Sequence, residues 1–487
     1  MQVPIPIRVD RRDPSHLHVQ IIEQIRKLIL DGSLQAGTQL PSSRLLAEQL
    51  RVSRNTVLLA YDRLAIEGYT STSKRSKTTV SVELAHRELR PSQLTHQQGA
   101  ELSVRRTSVL FRGEAPQLTR AGPKPLIDFF VGRPSPHAFP TKTWRRLLLA
   151  RLSSAGTALN EYRDPAGMIE LRQAIAEHLG PARGMNVKAS QVIVVNGIQE
   201  ALNIVCRLFI QVGAPVAVEN PCYQGAAFTF DSYGADLIPV LVDRDGLMPE
   251  LLPERSVSVL YVTPSHQFPT GAMLTLERRL RILEWARRVG AYIVEDDYDS
   301  DFRYDGPPLT ALAGLDTQDA VIYLGTFSKS IGPGLRIGYL VLPTELVAPA
   351  TTIKAILNAG HSWLDQAILS DFIGSGGFAR HLRQIRAVYS ARRDCLLDAL
   401  RCNFGTVDVT GDRGGMHIMW HVPHSFPTAI EIEARARAKS VGVYSLRAGV
   451  ACEFGKTPYG TRSLILGYAS LSERQIRDGI GRIAGSL

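Results

Sequence analysis

Val19, Ile22, Ile25, Leu28 and Ile29 recur at three- and four-residue spacing, and Gly32 follows them. That spacing predicts one amphipathic helix stopped at a glycine. A second pattern fills LPSSRLLAEQLRVSRNTVLLAYDRLAIEGY, residues 40–69. Ser42 is placed to cap a helix whose apolar face is Leu45, Leu46 and Leu50, and Arg51-Val52-Ser53 makes a tight turn. Ser53 then caps another helix, with Val57, Tyr61 and Leu64 inward and Gly68 at its end. Two short helices so joined form a helix-turn-helix, whose second helix offers its N-terminal residues to the DNA major groove.

From about Leu126 the rhythm changes. Apolar, β-rich runs (QVIVVN 191–196, PVAVEN 215–220, SVLYVT 258–263, AYIVED 291–296, AVIYLG 320–325) alternate with amphipathic stretches such as LERRLRILEWARRVG, 276–290. Strands apolar on both faces and separated by helices predict an α/β domain with a mostly parallel sheet. Residues 81–125 between the two regions are polar and irregular, the composition of a linker. The expected organisation is a mainly helical winged helix-turn-helix domain over 1–80, a linker over 81–125 and an α/β domain over 126–487.

Composition sharpens this picture. A chain of 487 residues is too long for one ordinary core. Of the net charge of +10, residues 1–90 carry +5, residues 91–125 carry +3 and all the rest only +2. A local basic excess favours a polyanion partner. The five cysteines form no CxxC pair, the first residues hold no apolar leader, and no apolar run approaches the roughly 20 residues of a membrane span. A reduced, cytoplasmic protein with no membrane association is expected.

Two groups of residues carry candidate chemistry. At the start of the second helix, Ser53, Arg54, Asn55 and Thr56 suit double-stranded DNA, because Arg reads guanine, Asn reads adenine, and hydroxyls reach phosphate or base edges. The stretch TSTSKRSKTTV (70–80) adds Lys74 and Arg75 as phosphate contacts. The other group surrounds Lys329 in LGTFSKSIGPGLRIGY, 324–339. A Schiff-base lysine for pyridoxal 5'-phosphate needs an acid at the ring nitrogen, a donor to the phenolic oxygen, a phosphate cradle and a stacking ring. IVEDDYDSDFRY (293–304) ends a predicted strand, where such sheets bind ligands, and offers Asp296 and Tyr298 for the first two. Gly197, Ile198 and Gln199 open a helix in VVNGIQEAL (194–202) and present backbone N–H groups to a phosphate. Thr326, Ser328 and Arg336 complete that cradle, and Tyr223 is the stacking ring. No histidine accompanies the carboxylates at ligand spacing, so no metal is expected.

These motifs also carry resemblances. Leu40, Pro41, Ser42, Arg44, Leu46, Ala47, Val52, Ser53, Arg54, Thr56, Val57, Glu67, Gly68 and Tyr69 match the pattern of the GntR class of winged helix-turn-helix regulators. The resemblance implies DNA contacts from Arg44, Ser53, Arg54, Asn55 and Thr56. The wing departs from it, lacking the usual glycine-rich turn. From about Leu126 onward the chain resembles the class I/II, fold-type I aminotransferases, with further matches in EYRDPAGMIELRQAIAEHL (161–179) and PTG (269–271). In such proteins two subunits share each site, which implies that Tyr162 reaches the partner's cofactor phosphate. The fusion resembles the MocR subfamily, whose GTFSK, PGLRIGY and EDDYDS stand here in that form. That implies a head-to-tail homodimer that binds promoter DNA and senses pyridoxal phosphate itself, or an amine or amino acid reacting with it. The alternative is an aminotransferase with an accessory DNA-binding domain. Two departures bear on the choice. Phe268 stands where the enzymes have Asn before PTG, and Ile465 stands where they place the arginine that clamps the substrate carboxylate. Arg462 lies three residues earlier, on the opposite face of an unbulged strand. No efficient transamination of ordinary α-amino acids is expected, because an unpaired carboxylate binds poorly.

Overall fold

Ser42 and Ser53 each begin a helix by accepting a hydrogen bond from the backbone N–H three residues on, at 3.3 Å from Leu45 and 3.1 Å from Thr56. These caps satisfy donors that no helical carbonyl can reach. This computed structural model describes residues 5–72, 77–81, 124–306, 309–448 and 450–487. The chain divides into two compact units, Met1–Arg106 and Thr107–Leu487. Except for Ser81, Lys124 and Pro125, the linker expected over 81–125 lies outside the described residues, as do Lys74 and Arg75.

The first unit holds α1 (Leu17–Leu30), α2 (Ser43–Leu50) and α3 (Arg54–Ile66), then β1 (Thr70–Thr72) and β2 (Thr78–Val80) paired antiparallel as a wing. Ile21, Ile25, Leu46, Val57 and Leu64 are fully buried together. The turn between α2 and α3 closes at Arg51, which takes the left-handed conformation (φ 55°). Tyr61 ties the two helices by donating its hydroxyl to the Pro41 carbonyl at 2.8 Å. Ser53→Ala should cost this unit about 1 kcal/mol, measurable by chemical denaturation of the full chain, with the second unit's transition unchanged.

The second unit is built on eight strands: β3 (Val192–Val195), β4 (Pro215–Asn220), β5 (Asp236–Asp243), β6 (Gly246–Leu247), β7 (Val259–Val262), β8 (Tyr292–Asp297), β9 (Val321–Thr326) and β10 (Gly338–Val341). Their order is β3-β10-β9-β8-β7-β4-β5-β6. Only β10 and the short β6 run against the others. Both faces are covered: Val216, Val218, Val259 and Tyr261 enter one apolar cluster, and Ala217, Leu260 and Val262 enter another. That double burial is why these strands read as continuous apolar runs. A smaller sheet follows, with β11 (Asp408–Thr410), β12 (His417–His421), β13 (Tyr444–Ser445) and β14 (Ser463–Gly467) in the order β11-β12-β14-β13. Among the described residues, no helix is long and apolar enough to cross a membrane.

Candidate cofactor site and DNA-reading helix

The C-terminal ends of β8 and β9 bring their loops to one cavity of about 270 Å³. Lys329 follows β9 and projects into it, its Nζ donating to the Gly132 carbonyl at 3.0 Å. Gly132 sits 197 residues away in sequence. The backbone there is left-handed (φ 71°), and a Cβ would lie 2.5 Å from Nζ, so another residue would be strained and would push the amine aside. Burial, partly offset by Asp299 and Asp296, lowers the Lys329 pKa and favours the neutral, nucleophilic amine.

The carboxylates of EDDYD have separate partners. Alternation along β8 sends Glu295 and Asp297 to one face and Asp296 to the other. Glu295 accepts the backbone N–H groups of Leu312 and Ala313, both at 2.9 Å. Asp297 takes Arg183 at 2.6 Å and the Tyr323 hydroxyl at 2.5 Å. Asp299 faces His266, 3.0 Å away. Asp296 lines the cavity. One of its oxygens accepts the Tyr261 hydroxyl at 2.7 Å, and the other, Oδ1, is buried without a hydrogen-bond partner. Burial, with Asp297 and Asp299 adding, raises its pKa to about 7.

The predicted cradle assembles at the same cavity. Gly197 (φ 85°) caps α4 (Ile198–Phe209), and Ile198 and Gln199 line the space. Thr326, Ser328 and Arg336 border it from the other side. Thr326 donates its hydroxyl to Ser328 Oγ at 3.0 Å. The exposed Arg336 reaches across to the Asn196 carbonyl at 2.8 Å, and a Cβ on Gly197 would stand 2.9 Å from its Nη2. Tyr223 and Tyr298 also line the cavity. The Tyr298 hydroxyl lies 3.1 Å from His266 Nδ1. Burial opposes a charge on His266, but Asp299 outweighs it and the pKa is raised. Phe268 contributes only its ring here, edge-on to Tyr223 at 6.0 Å and to Tyr298 at 6.1 Å.

Tyr162 is the exception among the expected cofactor residues. It is 93% exposed and lines a different cleft, with Trp363 and His361. Sequence reasoning missed Gly132, Tyr261 and His417. Gly132 and His417 come from segments remote from the lysine motif. Tyr261 reads as one more apolar strand position, and only the pairing of β7 with β8 brings it beside Asp296.

An orphaned buried carboxylate oxygen, a half-buried amine aimed into the cavity and a glycine-floored cradle with an arginine fit pyridoxal phosphate. Asp296 would hold the ring nitrogen, the α4 N-terminus with Ser328 and Arg336 the phosphate, and Lys329 the aldehyde carbon. The pyridinium N–H needs the ionised carboxylate, and below pH 7 binding must first expel the Asp296 proton. Cofactor affinity should therefore rise as pH climbs through about 7. Asp296→Asn should remove that rise as well as weaken binding, as fluorescence titration at several pH values would show.

On the first unit, Arg44, Ser53, Arg54 and Asn55 are exposed at the start of α2 and α3, and Thr56 is half-buried. Ser53 is committed to the cap and shares a 2.8 Å hydrogen bond with the Thr56 hydroxyl. Arg54 Nε donates to Ser43 Oγ at 3.4 Å. Arg44 and Asn55 have no hydrogen bond or ion pair among those described.

The sheet order, the lysine at the end of β9 and the facing aspartate define a pyridoxal-phosphate-dependent fold of the aminotransferase class. Residues 131–483 match the family of aminotransferase class I and II, and residues 17–80 match the bacterial regulatory proteins of the gntR family. The chain is 37% identical to the probable rhizopine catabolism regulatory protein MocR of Rhizobium meliloti, over 98% of this chain and 95% of that one. It is 34% identical to the pyridoxine biosynthesis transcriptional regulator PdxR of Corynebacterium glutamicum, over 86% of each. The second unit resembles Pyrococcus horikoshii kynurenine aminotransferase, solved with PMP (TM-score 0.68, 27% identity, 76% of this chain and 95% of that one). The chain belongs to the MocR-type transcription regulators, a gntR-family DNA-binding domain fused to an aminotransferase class I/II domain whose cofactor is pyridoxal phosphate.

Proposed function

We propose that this regulator holds pyridoxal phosphate on Lys329 and changes its hold on promoter DNA when a small amine, or the cofactor itself, occupies the pocket. When bound, the cofactor supplies a carbonyl that condenses with amines. The chain's own residues do the rest. Arg336, Ser328, Thr326 and the α4 N-terminus anchor the phosphate, Tyr223 covers the ring, and Asp296 fixes its nitrogen. Tyr298, backed by the His266–Asp299 pair, donates to the phenolic oxygen. On the first unit, Arg44, Arg54 and Asn55 read base edges, Ser53 and Thr56 steady the helix start, and Lys74 and Arg75 add phosphate contacts. The active form is a cytoplasmic head-to-tail homodimer in which Tyr162, almost fully exposed here, completes the partner's phosphate cradle.

One observation favours sensing over turnover. β12 and β14 pair in unbroken register from His417↔Gly467 to His421↔Ser463. Ile465 is therefore buried where an aminotransferase carries its carboxylate arginine. Arg462 turns the other way and donates to the carbonyls of Pro423, Phe426 and Pro427 at 3.2, 2.7 and 3.3 Å. The test is a coupled transaminase assay across the common α-amino acids with a keto-acid acceptor. The reading expects no sustained turnover, and steady multiple turnover would return the chain to the enzymes.

A further inference from the structure

Resting on the cofactor reading above, we propose that the pocket selects primary amines that carry no α-carboxylate. The cavity's described cations are Lys329 and Arg336. Lys329 meets the carbonyl and Arg336 the phosphate, which leaves neither for a carboxylate. The remaining wall is mostly uncharged and apolar, formed by Phe130, Val131, Phe268, Met416 and Val450. Ile465 backs it, fully buried in one apolar cluster with Val131 and Phe268.

The basic groups nearby are already engaged. Arg133, next to Gly132, pairs with Asp128 at 2.7 Å and lies over the Phe130 ring at 4.6 Å. Arg462 is spent on three carbonyls. His266 is 3% exposed and faces Asp299. His417 remains at the cavity wall, its Nε2 3.1 Å from the Pro269 carbonyl. A carbonyl only accepts, so that nitrogen carries the proton and Nδ1 keeps a lone pair. Burial, and then the charge on His266, hold its pKa well below the usual value, so the ring stays neutral. A neutral ring offers a carboxylate no compensating charge. A carboxylate entering this wall would shed its water and find no compensating cation. An amine bearing a hydroxyl or an apolar group meets no such cost.

Matched pairs test this on the full-length protein loaded with cofactor: ethanolamine against serine, 2-phenylethylamine against phenylalanine, agmatine against arginine. The readout is the concentration that half-changes the visible band of the bound cofactor, each corrected for reaction with free pyridoxal phosphate. The amine of a pair should act at least about tenfold below its amino acid. A band that the amino acids shift equally or better, or that neither member shifts, overturns the selectivity. A protein that shows no band with added cofactor fails at the earlier step, the cofactor reading itself. Ile465→Arg should invert the preference toward the amino acids. A soluble Ile465→Arg protein that keeps the wild-type preference removes position 465 from the argument and overturns the proposal. If that variant does not fold, the wild-type pairs decide alone.

Discussion

Lys329→Ala should abolish the visible band of bound pyridoxal phosphate, and nearly all cofactor should wash out on desalting. The amine is half-buried, held by the Gly132 carbonyl and surrounded by residues that fit the rest of the cofactor. Without it, the phosphate cradle and Asp296 give only non-covalent binding. A wild-type denaturation midpoint for the second unit would separate loss of the nitrogen from collapse of the site. The described lining of this cavity belongs to the second unit, so Lys329→Ala should still bind DNA while no longer responding to cofactor or amine. A variant that retains a full, non-exchangeable band would mean that another lysine carries the cofactor.

The second large effect belongs to the other unit. Arg44→Ala combined with Arg54→Ala should weaken binding to a selected operator duplex by at least about 30-fold, since each arginine contact to a base is worth about 1–3 kcal/mol. Both side chains are exposed, and neither carries the helix caps, which belong to Ser42 and Ser53. The variant should therefore unfold at the wild-type denaturant concentration and take up cofactor normally. Its residual binding should discriminate the operator from a scrambled duplex far less well, because base contacts rather than phosphate contacts are lost. Unchanged operator affinity would place the reading surface elsewhere on this unit.

How much of this the sequence announces depends on how local each feature is. The helix-turn-helix was legible because every part of it, two serine caps, a three-residue turn and apolar positions three and four apart, lies within residues 40–69. The strands of the large sheet were legible because burial on both faces leaves unbroken apolar runs. Lys329, Asp296 and Arg336 stood out because each follows or ends such a run beside glycine or clustered carboxylates. Their partners did not. Gly132 is one glycine among 40, and only its approach to Lys329 gives it a role. His417 sits in an ordinary-looking strand of the smaller sheet, and its place at the cavity depends on how that sheet packs against PTG. The departure at Ile465 was readable as a missing arginine, but its consequence rested on whether β14 is bulged. The unbroken pairing with β12 answers that. Arg462, in the turn just before β14, faces the Pro423–Pro427 carbonyls instead.

The central claim is that occupancy of the Lys329 pocket sets affinity at the DNA-reading helix. Such coupling requires the ligand to favour one arrangement of the protein over another, and by linkage DNA must then alter ligand affinity by the same factor. The most direct measurement is fluorescence anisotropy of a selected operator duplex, titrated with wild-type and Lys329→Ala protein. Each is measured alone, with pyridoxal phosphate, and with pyridoxal phosphate plus the most active amine. The account predicts that Kd changes at least about fivefold across the wild-type series, the lower end of ordinary allosteric couplings, and does not change across the Lys329→Ala series. A wild-type Kd indifferent to all three conditions, or a Lys329→Ala protein that responds as the wild type does, would contradict it.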